Sequence, residues 1–321
     1  MRFAPAHSQN EPVLHAPPAV PMTAGSPRAV PLPAAVLLCH ALVAAAADRV
    51  GVRVLFVKGP TAQLQGLRSP RISSDTDVLV PEESLSALVA ELSSRGWLVR
   101  PEDPDKAFLQ PHSITLYSPS WPCDIDLHFR FPGMEEEWGA VFDRLWSRRT
   151  RVDVAHRAIT VPSSGDHLGI LLLNELRSRS DGSAQLDEIR DLAVERPHEL
   201  LDFALGTGAV GPLRQVLELL PESQGVVYPR LSRNWRWHTR TSSDSARRII
   251  AVLQAPWREK PRLVLHSVFA PLEVVRITDL RADASLRSLA VKNLQRWSRA
   301  LTHLCGSLRE VVHYFLAPPR R

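Results

Sequence analysis

Two short apolar segments of this chain carry aspartates at alternate positions. Asp75-Thr76-Asp77 runs directly into Val78-Leu79-Val80, and Cys123-Asp124-Ile125-Asp126-Leu127-His128 repeats the pattern further on. Successive side chains of a β-strand point to opposite faces. Asp75 and Asp77 therefore share a face, and so do Asp124, Asp126 and His128, with Ile125, Leu127 and Phe129 opposite. Carboxylates gathered on one sheet face repel one another and resist ionisation. A divalent cation removes that cost, and hard cations prefer such oxygen ligands. Two carboxylates from one strand and a third from its neighbour can hold two Mg²⁺ ions about 4 Å apart, an arrangement suited to in-line phosphoryl displacement. An Asp-x-Asp alone also describes a solvated strand edge. The apolar run behind Asp77 and the second aspartate-bearing strand favour the metal reading.

A second set of residues lies just upstream. Arg53 to Val57 predicts a strand that ends at Lys58-Gly59, and Pro60 and Thr61 open a short helix reaching about Leu67. A glycine after a strand lets backbone N–H groups approach a phosphate, and a lysine adds charge. Proline suits the first turn of a helix, where phosphates are often held. Gly-x-x-x-x-Gly-Lys is absent, so this is not a P-loop. Arg71, with Ser73 and Ser74 ahead of Asp75, completes a candidate triphosphate subsite. The plainer reading of Lys58 is an exposed lysine in a strand-to-helix turn.

The chain has 321 residues, 44% hydrophobic and 23% charged, which excludes a wholly disordered chain. Residues 1–33 hold eight prolines and read as a flexible tail. Ala34 to Val50 predicts a buried helix closed by Gly51. Its most apolar run, Leu32 to Ala47, is shorter than the roughly 20 residues a bilayer requires. Strands are predicted at Asp75–Val80, Trp97–Arg100, Ser113–Tyr117 and Cys123–Arg130, with a helix at Glu82–Arg95. Beyond a boundary near 155–162, apolar residues recur every three to four positions, which predicts helices. The fold class is α+β: a tail over 1–33, a small mixed-sheet core over 34–160 and a mostly helical domain over 161–321. Three scattered cysteines, Cys39, Cys123 and Cys305, form no Cys-x-x-Cys pair and fit a reducing, cytoplasmic setting. Only four of the 39 basic residues are lysines, and the arginine excess reads as genome bias. The net charge of +5 is too mild to argue for nucleic acid by itself.

Lys58-Gly59, Arg71, Asp75-Thr76-Asp77, Val78-Leu79-Val80 and Asp126-Leu127-His128-Phe129-Arg130, in that order, resemble the uncharacterised nucleotidyltransferase family of the DNA polymerase β-like superfamily. The resemblance covers roughly residues 34–200 and extends to Asp166-His167 and to Leu186-Asp187-Glu188-Ile189-Arg190-Asp191-Leu192. It implies a small mixed sheet flanked by helices, and Mg²⁺-dependent transfer of a nucleoside monophosphate from an NTP, with Mn²⁺ as a substitute metal. By position it assigns Asp75, Asp77 and Asp126 to the metal, Asp126 also to the acceptor's proton, and Lys58, Gly59, Arg71 and Ser74 to the nucleotide. Asp124 and His128 stand beside them as further candidates. Lys58-Gly59 departs from the Gly-Ser usual in the wider superfamily. The acceptor is left open among peptide, small molecule and RNA. Neither DNA nor a membrane is expected as a partner. Members of this type often accompany peptide natural-product clusters.

Two other readings stay beside it: a catalytically inactive relative that binds peptide or RNA, and a toxin-like transferase acting on tRNA. Arg233-Asn234-Trp235-Arg236-Trp237-His238-Thr239-Arg240 is basic and aromatic, and its tryptophans at i, i+2 suggest an extended segment burying one ring. His112, His156, His303 and His313 lack partners at metal spacing and read as packed or surface histidines. Pro318-Pro319-Arg320-Arg321 reads as a frayed end.

Overall fold

The computed structural model describes residues 30–100, 111–177, 184–241, 243–269 and 286–316. Most of the proline-rich tail and the Pro318–Arg321 end lie outside the described residues. The first described element is helix α1 (Leu32–Val50), capped by Gly51 in the left-handed conformation, φ 68°. Five strands then form one sheet: β1 (Leu55–Val57), β2 (Asp75–Leu79), β3 (Leu98–Val99), β4 (Ser113–Tyr117) and β5 (Asp124–His128), in the order β1-β2-β5-β4-β3. Among the described residues only β2 and β5 pair in parallel. Parallel neighbours need a crossover, and here it contains α3 (Leu85–Ser94), β3 and β4. The register sets Asp75 beside Asp124 and Asp77 beside Asp126.

The sheet is covered on both faces, as a sheet with parallel pairing requires. One face gives Phe56, Val78, Val80, Leu116, Ile125 and Leu127 to a core shared with α1. By length and composition the 19 residues of α1 would cross a bilayer. They run beyond the Leu32–Ala47 segment marked by sequence, but Ala35, Val36, Cys39, Val43, Ala46 and Ala47 are buried in this core. The opposite face gives Leu55, Val57 and Leu79 to a second core with α4 (Trp138–Ser147), α5 (Ser164–Arg177), α6 (Ala184–Glu195) and α7 (Pro197–Thr207). The aspartates of β2 and β5 lie on this second face, where the apolar cover gives way to a cleft.

Several elements differ from the sequence reading. A hairpin, β6 (Thr150–Val154) and β7 (Arg157–Val161), was not expected. Its turn residues Ala155 and His156 both have positive φ, 49° and 59°. That geometry usually selects Asn-Gly, so the sequence carries no hairpin signal. The Arg233–Arg240 segment is helix α9, not an extended strand, with Ser232 accepting the Trp235 N–H. Both tryptophans are buried: Trp235 joins the core under α5, and Trp237 joins a small cluster with Ile250, Val311 and Tyr314. Two residues advance a helix by about 200°, so the pair serves opposite sides. The helical spacing of apolar residues over Pro212–Leu220 yields only the short α8 (Arg214–Leu217), and α10 (Asp244–Gln254), α11 (Lys260–Val268), α12 (Leu286–Thr302) and α13 (Leu304–Leu316) complete the described chain.

Helix α5 is buried along nearly its whole length. It packs closely on α7 at Gly169, where an added Cβ would lie 2.2 Å from the Phe203 ring. Gly169→Ala should therefore cost about 1–3 kcal/mol of stability through overpacking, read as a lower urea midpoint. An unchanged midpoint would show that α5 and α7 separate freely.

Candidate active site

The cleft at the end of β2 and β5 has a volume of about 500 Å³ and takes Lys58, Arg71, Asp75, Asp77, Asp126 and Arg177 into its wall. Gly59, Ser73, Ser74, His112, His128 and Asn174 line it as well. All the nucleotide and metal candidates named from sequence thus share one cleft, except Asp124. The Asp124 Oδ2 accepts from Arg100 Nη2 at 2.6 Å, and the residue does not line the cleft.

Asp77 is the centre of the cluster. Its Oδ1 accepts from Lys58 Nζ at 2.5 Å and from His128 Nε2 at 2.9 Å. Lys58, Asp77 and His128 are all buried. Burial alone would raise the Asp77 carboxyl, but Lys58 and His128 outweigh it and hold it well below the usual carboxylate range. A carboxylate only accepts, so His128 carries its proton on Nε2, and its buried Nδ1 has no hydrogen-bond partner. Burial pushes His128 down, against the pull of Asp77. Asp75 is pushed the other way, raised first by burial and then by the charges of Asp77 and Asp126. Asp126 accepts from Thr115 Oγ1 at 2.5 Å.

Donor atoms of Asp77, Asp126 and His128 all lie within 4.8 Å of one another. Asp75 lines the same cleft without joining that set. The donor chemistry fits a divalent cation. Two carboxylates in register on adjacent strands converge with an imidazole, and beside them Asp75 is raised by burial first and then by repulsion from Asp77 and Asp126, the part that such an ion would relieve.

Lys58 occupies an unusual backbone state, φ 59° and ψ −149°, near a region that is essentially glycine's. It is held there from several directions. Its N–H donates to His167 Nε2 at 2.7 Å, and its carbonyl accepts from Thr61 Oγ1 at 2.7 Å and from Ala62 N at 3.0 Å. His167 is fixed in turn by Gln65 Oε1 at 2.5 Å, and burial pushes its pKa down to about 3, so it stays neutral and accepting. The strain, of order 1–3 kcal/mol for such a residue, aims the lysine side chain at Asp77.

The cationic wall is completed from helices. Arg71 hydrogen-bonds Gln185 of α6, and Glu188 of α6 accepts from Ser69 N and Oγ at 2.8 and 2.6 Å, anchoring the loop that carries Arg71. Arg177, at the end of α5, places its guanidinium 5.7 Å from the Phe131 ring centre, and Lys58 Nζ lies 5.7 Å from the same centre. Asn174 Oδ1 accepts from Arg177 at 3.2 Å. His112 stacks on His128 with centroids 6.1 Å apart, and burial pushes its pKa down to about 2. Arg177, Asn174 and His112 were not found from sequence. The only local signal was that Asn174 and Arg177 sit three residues apart on one helix, in a chain full of arginines.

The profile of a family described as uncharacterised nucleotidyltransferase matches residues 38–195. That segment is similar to the domains of this family. It spans the sheet, the cleft aspartates, Lys58, His167 and Arg177, and it confirms the resemblance carried by the motifs. No curated protein sequence matches the chain. Solved structures similar to it include the antibiotic-resistance factor ANT(2'')-Ia, at 14% identity over 58% of this chain and 95% of that one, TM-score 0.39. A nucleotidyltransferase-like antigenic protein from Paracoccidioides brasiliensis is similar at 12% identity over 58% and 93%, TM-score 0.33. The Thermotoga maritima CCA-adding enzyme complexed with tRNA is similar at 14% identity over 87% and 75%, TM-score 0.25.

The buried ion pair makes a pH-dependent prediction. A carboxyl depressed by folding stabilises the fold above its unfolded pKa of about 3.9 and loses that contribution as pH falls. Lys58→Met leaves Asp77 buried without its cation and should cost about 3–5 kcal/mol at pH 7. The cost should shrink near pH 4, where the variant's carboxyl takes up a proton. Urea titrations at both pH values read the difference, and an equal loss at both would exclude the ion pair as its source.

Proposed function

We propose that this domain is a metal-dependent nucleotidyltransferase that moves a nucleoside monophosphate from an NTP to an acceptor hydroxyl or phosphate. The observation that carries the reading is the in-register pair Asp77 and Asp126, with His128, in a cleft whose other wall is Lys58, Arg71 and Arg177. Asp75, Asp77 and Asp126 would hold Mg²⁺, with Mn²⁺ as a substitute. Bound there, the metal polarises the phosphate and neutralises charge on the leaving pyrophosphate. Lys58, Arg71 and Arg177 bind the triphosphate, with Ser74 beside them and Gly59 allowing close backbone approach. His128 orients Asp77. In the transfer, the acceptor oxygen forms a bond to the α-phosphorus as the bond to the β-phosphate oxygen breaks. Pyrophosphate leaves, and Asp126 takes the acceptor's proton.

For the acceptor, the family resemblance points to peptide tailoring, whereas the distribution of charge favours RNA. Residues 221–321 hold 18 basic and seven acidic residues, against 21 and 27 in the first 220. Trp257 is 75% exposed, and the Arg258 guanidinium lies 5.5 Å from its ring centre. Clustered positive charge with an open aromatic face suits a single-stranded nucleic acid.

The test is transfer of label from each of four α-³²P-labelled NTPs, with Mg²⁺, onto total RNA and onto total peptide. Asp77→Asn and Asp126→Asn should each lower transfer about a thousandfold, equivalent to several kcal/mol of metal-assisted catalysis. Arg177→Ala should raise KM for the NTP more than it lowers kcat. Full activity in Asp77→Asn would overturn the metal assignment. Label on peptide alone would overturn the RNA reading.

A further inference from the structure

Asp77, one of the two carboxylates that converge with His128, already holds a cation on one of its oxygens. Asp77 Oδ1 lies 2.5 Å from Lys58 Nζ, and the pair is almost shut from solvent, with side-chain exposures of 11% for the lysine and 5% for the aspartate. Mg²⁺ binds carboxylate oxygen at about 2.1 Å. A divalent ion and an ammonium on the same buried carboxylate would face each other at close range in a site of low dielectric, where like charges repel strongly. Metal and Lys58 therefore compete for Asp77.

Lys58 cannot withdraw by moving its backbone. The N–H is held by His167 and the carbonyl by Thr61 and Ala62, all at hydrogen-bonding distance. Only its four-carbon side chain can swing. The cleft into which it would swing already contains Arg71 and Arg177, so an ammonium arriving there would meet two further positive charges. That move becomes favourable when a polyanion fills the cleft. A triphosphate supplies the counter-charge for Lys58 and frees Asp77 together.

We propose that Lys58 is the resident counter-ion of Asp77 in the empty protein and releases it to a metal only when a triphosphate takes the ammonium. The inference rests on the nucleotidyltransferase reading of the cleft, and it adds an order to it. Free metal binds weakly, and metal and triphosphate favour each other's binding by the same factor, as linkage requires. In the empty protein Lys58 also offsets part of the repulsion that Asp77 and Asp126 exert on Asp75.

The test titrates Mn²⁺ alone into wild type, Lys58→Gln, Lys58→Arg and Asp77→Asn, following the electron-spin-resonance signal of free Mn²⁺. Lys58→Gln should bind Mn²⁺ at least tenfold more tightly than wild type. Lys58→Arg, which keeps the charge, should stay as weak as wild type. Equal Mn²⁺ affinity in wild type and Lys58→Gln, lost in Asp77→Asn, would overturn the counter-ion role and leave the metal site standing. No Mn²⁺ binding by any variant, with or without inorganic tripolyphosphate, would overturn the metal reading and the inference with it. Should Lys58→Gln not fold, the wild type decides: it should take up the preformed Mn²⁺–tripolyphosphate complex far more tightly than Mn²⁺. Equal affinity for the two would overturn the proposal.

Discussion

The parallel pairing of β2 with β5 creates the problem that the rest of the site answers. It sets Asp75 beside Asp124 and Asp77 beside Asp126, so four carboxylates occupy two adjacent strands. Each is answered differently. Arg100 takes Asp124 out of the cleft, Thr115 donates to Asp126, and Lys58 and His128 share Asp77. Asp75 receives only weak help from Ser73 at 3.3 Å, and burial, with the charges of Asp77 and Asp126, pushes its carboxyl up. The uneven treatment differentiates residues that look equivalent in the sequence. One is neutralised for structure, one is locked, and two keep capacity for chemistry.

Much of this was legible from local pattern. Alternation along a strand fixes which residues share a face, so Asp75, Asp77, Asp126 and His128 could be placed together without coordinates. Helical spacing likewise marks α1, α3, α5, α6 and α7. What was not legible came from distance or from irregular turns. Lys58 meets His167 across 109 positions, and no local pattern announces such a partner. The β6–β7 turn uses Ala155-His156 where a sequence reader looks for glycine or asparagine. In α9 the spacing of Trp235 and Trp237 imitates a strand, because the helix lies between two cores and must send one ring to each.

Lys58 illustrates a conflict between backbone and side chain at one position. The angles of the turn favour glycine, while the buried Asp77 needs a cation. The chain keeps the lysine and recruits His167 to hold the turn. Local rules are violated here because chemistry overrides them, and the violation coincides with the cleft.

Helix α5 connects these observations in one further way. Its first turn carries His167, which sets the Lys58 turn, and its last turn carries Asn174 and Arg177, which wall the cleft. Fourteen residues at 1.5 Å each make a rod about 20 Å long. The rod is rigid and buried, so the floor and the far wall of the cleft share one ruler. A fragment ending ahead of Ser164 would retain every acidic strand residue and lose the gauge that spaces them from Arg177 across the cleft. The part of the site that is easiest to read in the sequence is therefore incomplete as a physical object, and its dimensions are set by a helix that carries none of the aspartates.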